Sequence, residues 1–187
     1  MRRPPTVTLR TLVLCTLSAL FSWLACPPAA AGADRSWPVA GARGPRPLVV
    51  GAWDPPPVRW AAGHRGVDLA ARPGTPVRAA APGRVSFAGT VAGLGVVSVE
   101  LGPGLRTTYE PVRATVREGD RVAAGDVVGV LQAGVLPHCR GGAGGASAGC
   151  LHWGLRRGEV YLDPLSLLPA WMLRRPPSRL LPLTDTP

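Results

Sequence analysis

The 187-residue chain contains no lysine, no isoleucine and no asparagine. All three are encoded by A/T-rich codons, and their joint absence beside abundant Arg, Ala, Gly and Pro points to a high-GC bacterial genome. Acidic residues are scarce, 11 against 21 arginines, for a formal charge of +10. That balance suits a polyanionic partner, or a basic surface kept in solution by its charge. Aromatics make up only 5% of the chain and do not interleave with the arginines, which argues against a single-strand nucleic-acid face. Long apolar runs are also missing. The stretch from Leu12 to Ala25 is short for a membrane-spanning helix. The final "AWMLRRPPSRLLPLTDTP" is broken by proline and too short to span, so it reads as a loosely attached tail, residues 169–187.

The N-terminus has arginines at 2, 3 and 10, then the apolar run, then Ala31 and Ala33 in an A-x-A arrangement before Asp34. This is the pattern of a secretory signal peptide, residues 1–33. Its removal takes three arginines and no acid, leaving +7 of the +10. For an exported protein the anionic cell wall is then a nearer partner than nucleic acid. Lipid anchoring at Cys26 is a second reading of the same leader, but Trp23 fits poorly three positions ahead of it.

Residues 34–57 are rich in Pro, Gly and Arg and read as an extended arm along the domain edge. From about residue 58 to 168 the pattern is β throughout. "TPVRAAAPGRVSFAGTV", "GVVSVELG", "LRTTYEPV", "DRVAAGDVVGVL" and "CLHWGLRRGEVYLDP" are short valine-rich or alternating runs separated by Gly and Pro. The expectation is an all-β domain, an antiparallel sandwich or flattened barrel. "APGRVSFAG" and "REGDRVAAGDVVGVL" repeat a glycine-then-strand unit also found in biotinyl and lipoyl carriers, whose barrel-sandwich fold this domain can share. Their function is excluded, because those carriers modify a lysine.

The histidines are His64, His138 and His152. In "HRGVD", Asp68 follows His64 by four, and a turn at Gly66 lets both side chains converge. His152 sits on an alternating run that reads as the last long strand. Two histidines and one aspartate give a divalent ion three ligands and leave a fourth position for water, the make-up of a catalytic zinc site rather than a closed structural one.

In order and spacing, "GHRGVDLAARPGTPVRAAAPGRVSFAG", "GLGVVSVELGPGLRTTYEPV", "VREGDRVAAGDVVGVL" and "CLHWGLRRGEVYLDPLSLL" resemble the lysostaphin/LytM-type zinc metallopeptidases. The resemblance covers residues 58 to 168. It implies Zn2+ held by His64, Asp68 and His152, and the peptide part of peptidoglycan as substrate, so a secreted, cell-wall-associated zinc metalloendopeptidase.

Two positions depart from the family pattern. Cys150 stands where H-x-H has its first histidine, and Pro111 stands at the histidine of Y-x-H, two residues after Tyr109. Groups of that kind contribute about 10²- to 10⁴-fold each. Glu110, beside Pro111, is the best substitute as a general base. His138 is another, if "LPHCRGGAGGASAGCLHWG" is a family segment split by an insertion. Cys150 itself is the third, unless it pairs with Cys139 in a disulfide, which the exported context favours. The alternative function is a catalytically impaired relative acting as a cell-wall-binding or regulatory module.

Overall fold

The computed structural model describes residues 34–42, 44–134 and 149–174. The leader, His138 and Cys139 lie outside the described residues. Among the described residues eleven strands follow in chain order: β1 (Val49–Gly51), β2 (Gly66–Ala70), β3 (Pro76–Arg78), β4 (Gly83–Val91), β5 (Leu94–Gly102), β6 (Leu105–Glu110), β7 (Val112–Ala114), β8 (Arg121–Val122), β9 (Val127–Leu131), β10 (Cys150–Arg157) and β11 (Val160–Leu162). After them, among the described residues, come a four-residue 3₁₀ helix, Pro164–Leu167, and a four-residue α-helix, α1 (Ala170–Leu173). The fold is all-β, as the alternating runs imply. No helix among the described residues is long and apolar enough to cross a membrane.

The strands form two antiparallel sheets. The larger runs β1-β2-β10-β6-β5-β4-β8, with β11 also paired to β10, and the smaller runs β3-β9-β7. Tight turns set the register. Val91 pairs with Leu94 across Ala92-Gly93, both at positive φ (49° and 85°), the conformation that matches the twist of a two-residue hairpin.

Side chains alternate across each strand. Val67 and Leu69 of β2, Val97 and Val99 of β5, Tyr109 of β6, and Leu151 and Trp153 of β10 point inward, against Val77, Val112, Val128 and Leu131 of the smaller sheet. The core also takes residues from the segment ahead of β1. Trp37 and Val39 are buried in it, and Trp37 meets Trp153 edge to face at 6.5 Å between ring centroids. Ser36 N donates to Ala80 O at 2.9 Å, and Arg78 N to Pro38 O at 2.8 Å. Past Pro169, Met172 and Leu173 pack against the same core, and Arg46 Nη1 donates to the Leu173 carbonyl.

Candidate metal centre

The inward alternation that buries Trp153 sends His152 to the opposite face of the larger sheet. There the register makes a row. Gly51 of β1 pairs with Asp68 of β2, Asp68 with His152 of β10, and His152 with Glu110 of β6. Residues directly opposite one another share a face, so one sheet face gathers Asp68, His152 and Glu110 from three strands. His64 precedes β2. Two backbone bonds with Asp54 hold it, His64 N to Asp54 O at 2.6 Å and Asp54 N to His64 O at 3.1 Å.

Three donor atoms meet at this point. His64 Nε2 lies 3.1 Å from Asp68 Oδ1 and 3.1 Å from His152 Nδ1, and His152 Nδ1 lies 2.9 Å from Asp68 Oδ1. The tautomer of His64 follows from its other nitrogen. Nδ1 stands 2.6 Å from the Ala52 carbonyl, which can only accept, so Nδ1 carries the proton and Nε2 presents its lone pair to the cluster. Nε2 and the carboxylate oxygen are then two electron-pair bearers at hydrogen-bond distance with no proton between them. One proton on His152 Nδ1 serves only one of the two. A cation at the centre serves all three, so the donor set fits a metal ion, and these are the described residues able to hold one.

The electrostatics agree. Burial opposes ionisation of Asp68, but the hydrogen bond from His152 and the positive charge the two imidazoles carry when protonated outweigh burial and lower its pKa below the usual carboxylate value. The Asp68 side chain is 8% exposed, those of His152 and His64 16% and 25%, so the cluster is walled on the strand side and open at its mouth.

Glycines make the space. A Cβ on Gly51 would stand 2.5 Å from Asp68 Oδ2, and one on Gly66 would stand 2.6 Å from His152 Nε2 and 2.5 Å from the Trp153 carbonyl. Gly66 is therefore a strand residue that leaves room for an imidazole, and not the turn that the HRGVD spacing suggests. Behind the row, Trp153 Nε1 donates to Thr107 Oγ1 at 2.7 Å, and Thr107 Oγ1 donates to Gly154 O at 2.9 Å. This buried relay fixes β10 to β6 on the side away from the donors. Tyr109 is fully buried there and accepts from Ala80 N at 2.8 Å.

Of the residues expected to carry chemistry, the structure brings His64, Asp68 and His152 together and places Glu110 next to them in the row, outside the triangle. Cys150 is buried at the start of β10, two residues before His152 and on its face. Ala52, Gly51, Thr107 and the core role of Trp37 were not legible in the spacing. The glycine of "VVGAW" was the available signal for β1, and nothing local marks it as Asp68's neighbour.

The match to known proteins falls on this region. The model for peptidase family M23 matches residues 62–164, which hold all three donors and Glu110. The chain belongs to peptidase family M23. Its lysostaphin/LytM-type pattern is the pattern of that family. An uncharacterized protein of Mycobacterium tuberculosis is 45% identical over 179 residues, covering 93% of this chain and 64% of that protein. The chain thus spans 64% of the length of the mycobacterial relatives it matches. A DD-carboxypeptidase/endopeptidase of Neisseria meningitidis, Mpg, is 31% identical over 105 residues, 56% of this chain and 22% of that one. The M23 domain also shares its fold with the catalytic domain of the prophage-encoded M23 protein EnpA of Enterococcus faecalis. The TM-score is 0.50 at 24% identity, over 67% of this chain and 95% of that one.

Proposed function

We propose that this M23 domain is an exported zinc metalloendopeptidase-type domain that acts on peptidoglycan peptides in the cell wall. The observation that carries the reading is the convergence of His64 Nε2, Asp68 Oδ1 and His152 Nδ1 within 3.1 Å of one another. Tetrahedral zinc with bonds of about 2.0–2.1 Å sets its donors about 3.3 Å apart, close to the spacing of this triangle. When bound, the ion would polarise a substrate carbonyl and acidify a water molecule. The protein's own part is orientation and proton transfer. The Ala52 carbonyl fixes the His64 tautomer, the β2–β10 register fixes Asp68 against His152, and Glu110 offers a carboxylate on the same face that can take a proton from the attacking water. Export through the 1–33 leader, residues 34–57 as an arm, 58–168 as the peptidase domain and 169–187 as a tail belong to this reading. So does a Cys139–Cys150 disulfide, which the bonded state of Cys150 supports. It would leave no thiolate beside His152 for acid–base work.

A second reading rests on Pro111 and Cys150, which occupy the two positions where the family pattern has non-ligand histidines. On that reading the domain keeps the metal and binds the wall or regulates another enzyme without turnover. One experiment separates the two. Zinc-loaded, unreduced protein is incubated with bacterial peptidoglycan with and without a chelator, and newly freed peptide termini are sought by mass spectrometry. Termini that vanish with chelator are the expected result. Protein carrying one zinc and freeing none establishes the binding module instead.

A further inference from the structure

Beside the donor triangle stands a wall of arginines and aromatics that the chemistry above does not use. Trp60 is 86% exposed, and the Arg59 guanidinium lies 5.1 Å from its ring centroid. Tyr161 of β11 has two guanidiniums over its ring, Arg65 and Arg156, each at 5.7 Å. The two halves of the wall come from different segments, residues 58–65 and the β10–β11 hairpin. The ion pair from Arg59 to Glu159 at 3.2 Å ties them together. Arg65 also braces the first segment, its Nη2 donating to Arg59 O at 2.7 Å and Ala61 O at 3.3 Å.

We propose that this wall is a subsite for a carboxylate-bearing peptide segment of the ligand, and the proposal rests on the peptidoglycan-peptide reading above. Three observations point to an acidic ligand with apolar stems. A tryptophan this exposed, two residues after Val58, which is also exposed, has a cost in water that a binding role explains. Guanidiniums beside aromatic rings join a positive charge to an apolar face, and Arg65, which holds Arg59 O and Ala61 O through Nη2, has its Nε and Nη1 donors left for a carboxylate among the described residues. The charge is also unbalanced. Glu159 is the carboxylate of the wall and accepts from both Arg59 and Arg156, so among the described residues Arg65 has none in ion-pair reach.

The position fits a peptide that runs on from the donors. Arg65 follows His64 directly. Arg156 lies on the same face of β10 as His152, four residues along, about 13 Å at the rise of a strand. An extended ligand spans that distance in about four residues. Between them the row is Gly66, Gly154 and Thr108, short side chains that leave the path low.

The test is a calorimetric titration of the full, unreduced chain in chelator, with its fold checked by circular dichroism. The ligands are a synthetic stem peptide with free carboxylates and the same peptide with every carboxylate converted to carboxamide. The acid peptide should bind about tenfold or more tightly than the amide, and added salt should narrow the gap. Trp60→Ala should weaken both peptides. Glu159→Gln removes the internal competitor and should tighten the acid peptide alone. Equal affinity for the two peptides, or a Glu159→Gln variant that treats them as the parent does, overturns the subsite, as does failure to bind either. Chelator-sensitive release of peptide termini together with equal affinities would sink the subsite and leave the endopeptidase standing. Acid-selective binding without any release would do the reverse.

Discussion

Gly66→Ala tests whether strand packing holds the donor triangle. The added Cβ would sit 2.6 Å from His152 Nε2 and 2.5 Å from the Trp153 carbonyl, where ordinary contact begins at 3.4 Å. Something must therefore move by nearly 1 Å. The carbonyl belongs to β10 at a residue whose side chain is fully buried against Trp37, so it cannot retreat without opening the core. The imidazole is what yields, and as it does its Nδ1 loses its place against Asp68 Oδ1 and His64 Nε2. Overpacking of this kind costs about 1–3 kcal/mol. A donor shifted by that much leaves the tolerance of about 0.2 Å that metal bonds allow, so zinc affinity should fall by about 100-fold or more, at or beyond the upper end of second-shell effects. Competition with a chromophoric chelator measures the affinity, and thermal unfolding with and without zinc measures the linkage. A Gly66→Ala protein that binds zinc as the parent does would refute the claim that Gly66 exists to seat His152.

Other outcomes follow from the same geometry. Glu110→Gln should lower turnover on peptidoglycan by about 10²- to 10⁴-fold while zinc content stays the same; unchanged turnover removes Glu110 as the base. Thr107→Val leaves the buried Trp153 indole N–H without its acceptor, and denaturant unfolding should show a loss of about 1–3 kcal/mol. Alkaline stability should depend on Tyr109. Burial, only partly offset by hydrogen bonds with Ala80 and Thr107, pushes its pKa from 10.0 up to about 12. Because the folded value is the higher one, this contribution is complete below pH 10 and is lost as pH rises through about 12, roughly 3 kcal/mol in all. Unfolding curves taken across that window should fall more steeply for the parent than for Tyr109→Phe, and parallel curves would remove Tyr109 as the cause.

The sheet strands were legible because alternation is written residue by residue. "CLHWGLRR" alternates, so Trp153 buried and His152 facing the other way follow from the period of a strand alone, and the structure has both. Gly66 shows the limit. A glycine between His64 and Asp68 reads locally as a turn, yet its reason lies in an imidazole 86 positions further along the chain. Composition is similarly incomplete at residues 34–57. Proline, glycine and arginine suggest an extended arm along the domain edge, and β1 does lie at the sheet edge, but nothing in that composition marks Trp37 and Val39 as core residues.

By itself, the sequence determined the all-β class and singled out the three residues that could hold a metal, since strand period and residue chemistry are local properties and the HRGVD-to-LHW order is carried in the chain. The tertiary structure decided which atoms meet: His64 Nε2 turned inward by the Ala52 carbonyl, Glu110 set opposite His152, and Arg65 and Arg156 closed over Tyr161. Those facts depend on register between strands from distant parts of the chain, and a one-residue slip in any of them would send every side chain of that strand to the other face.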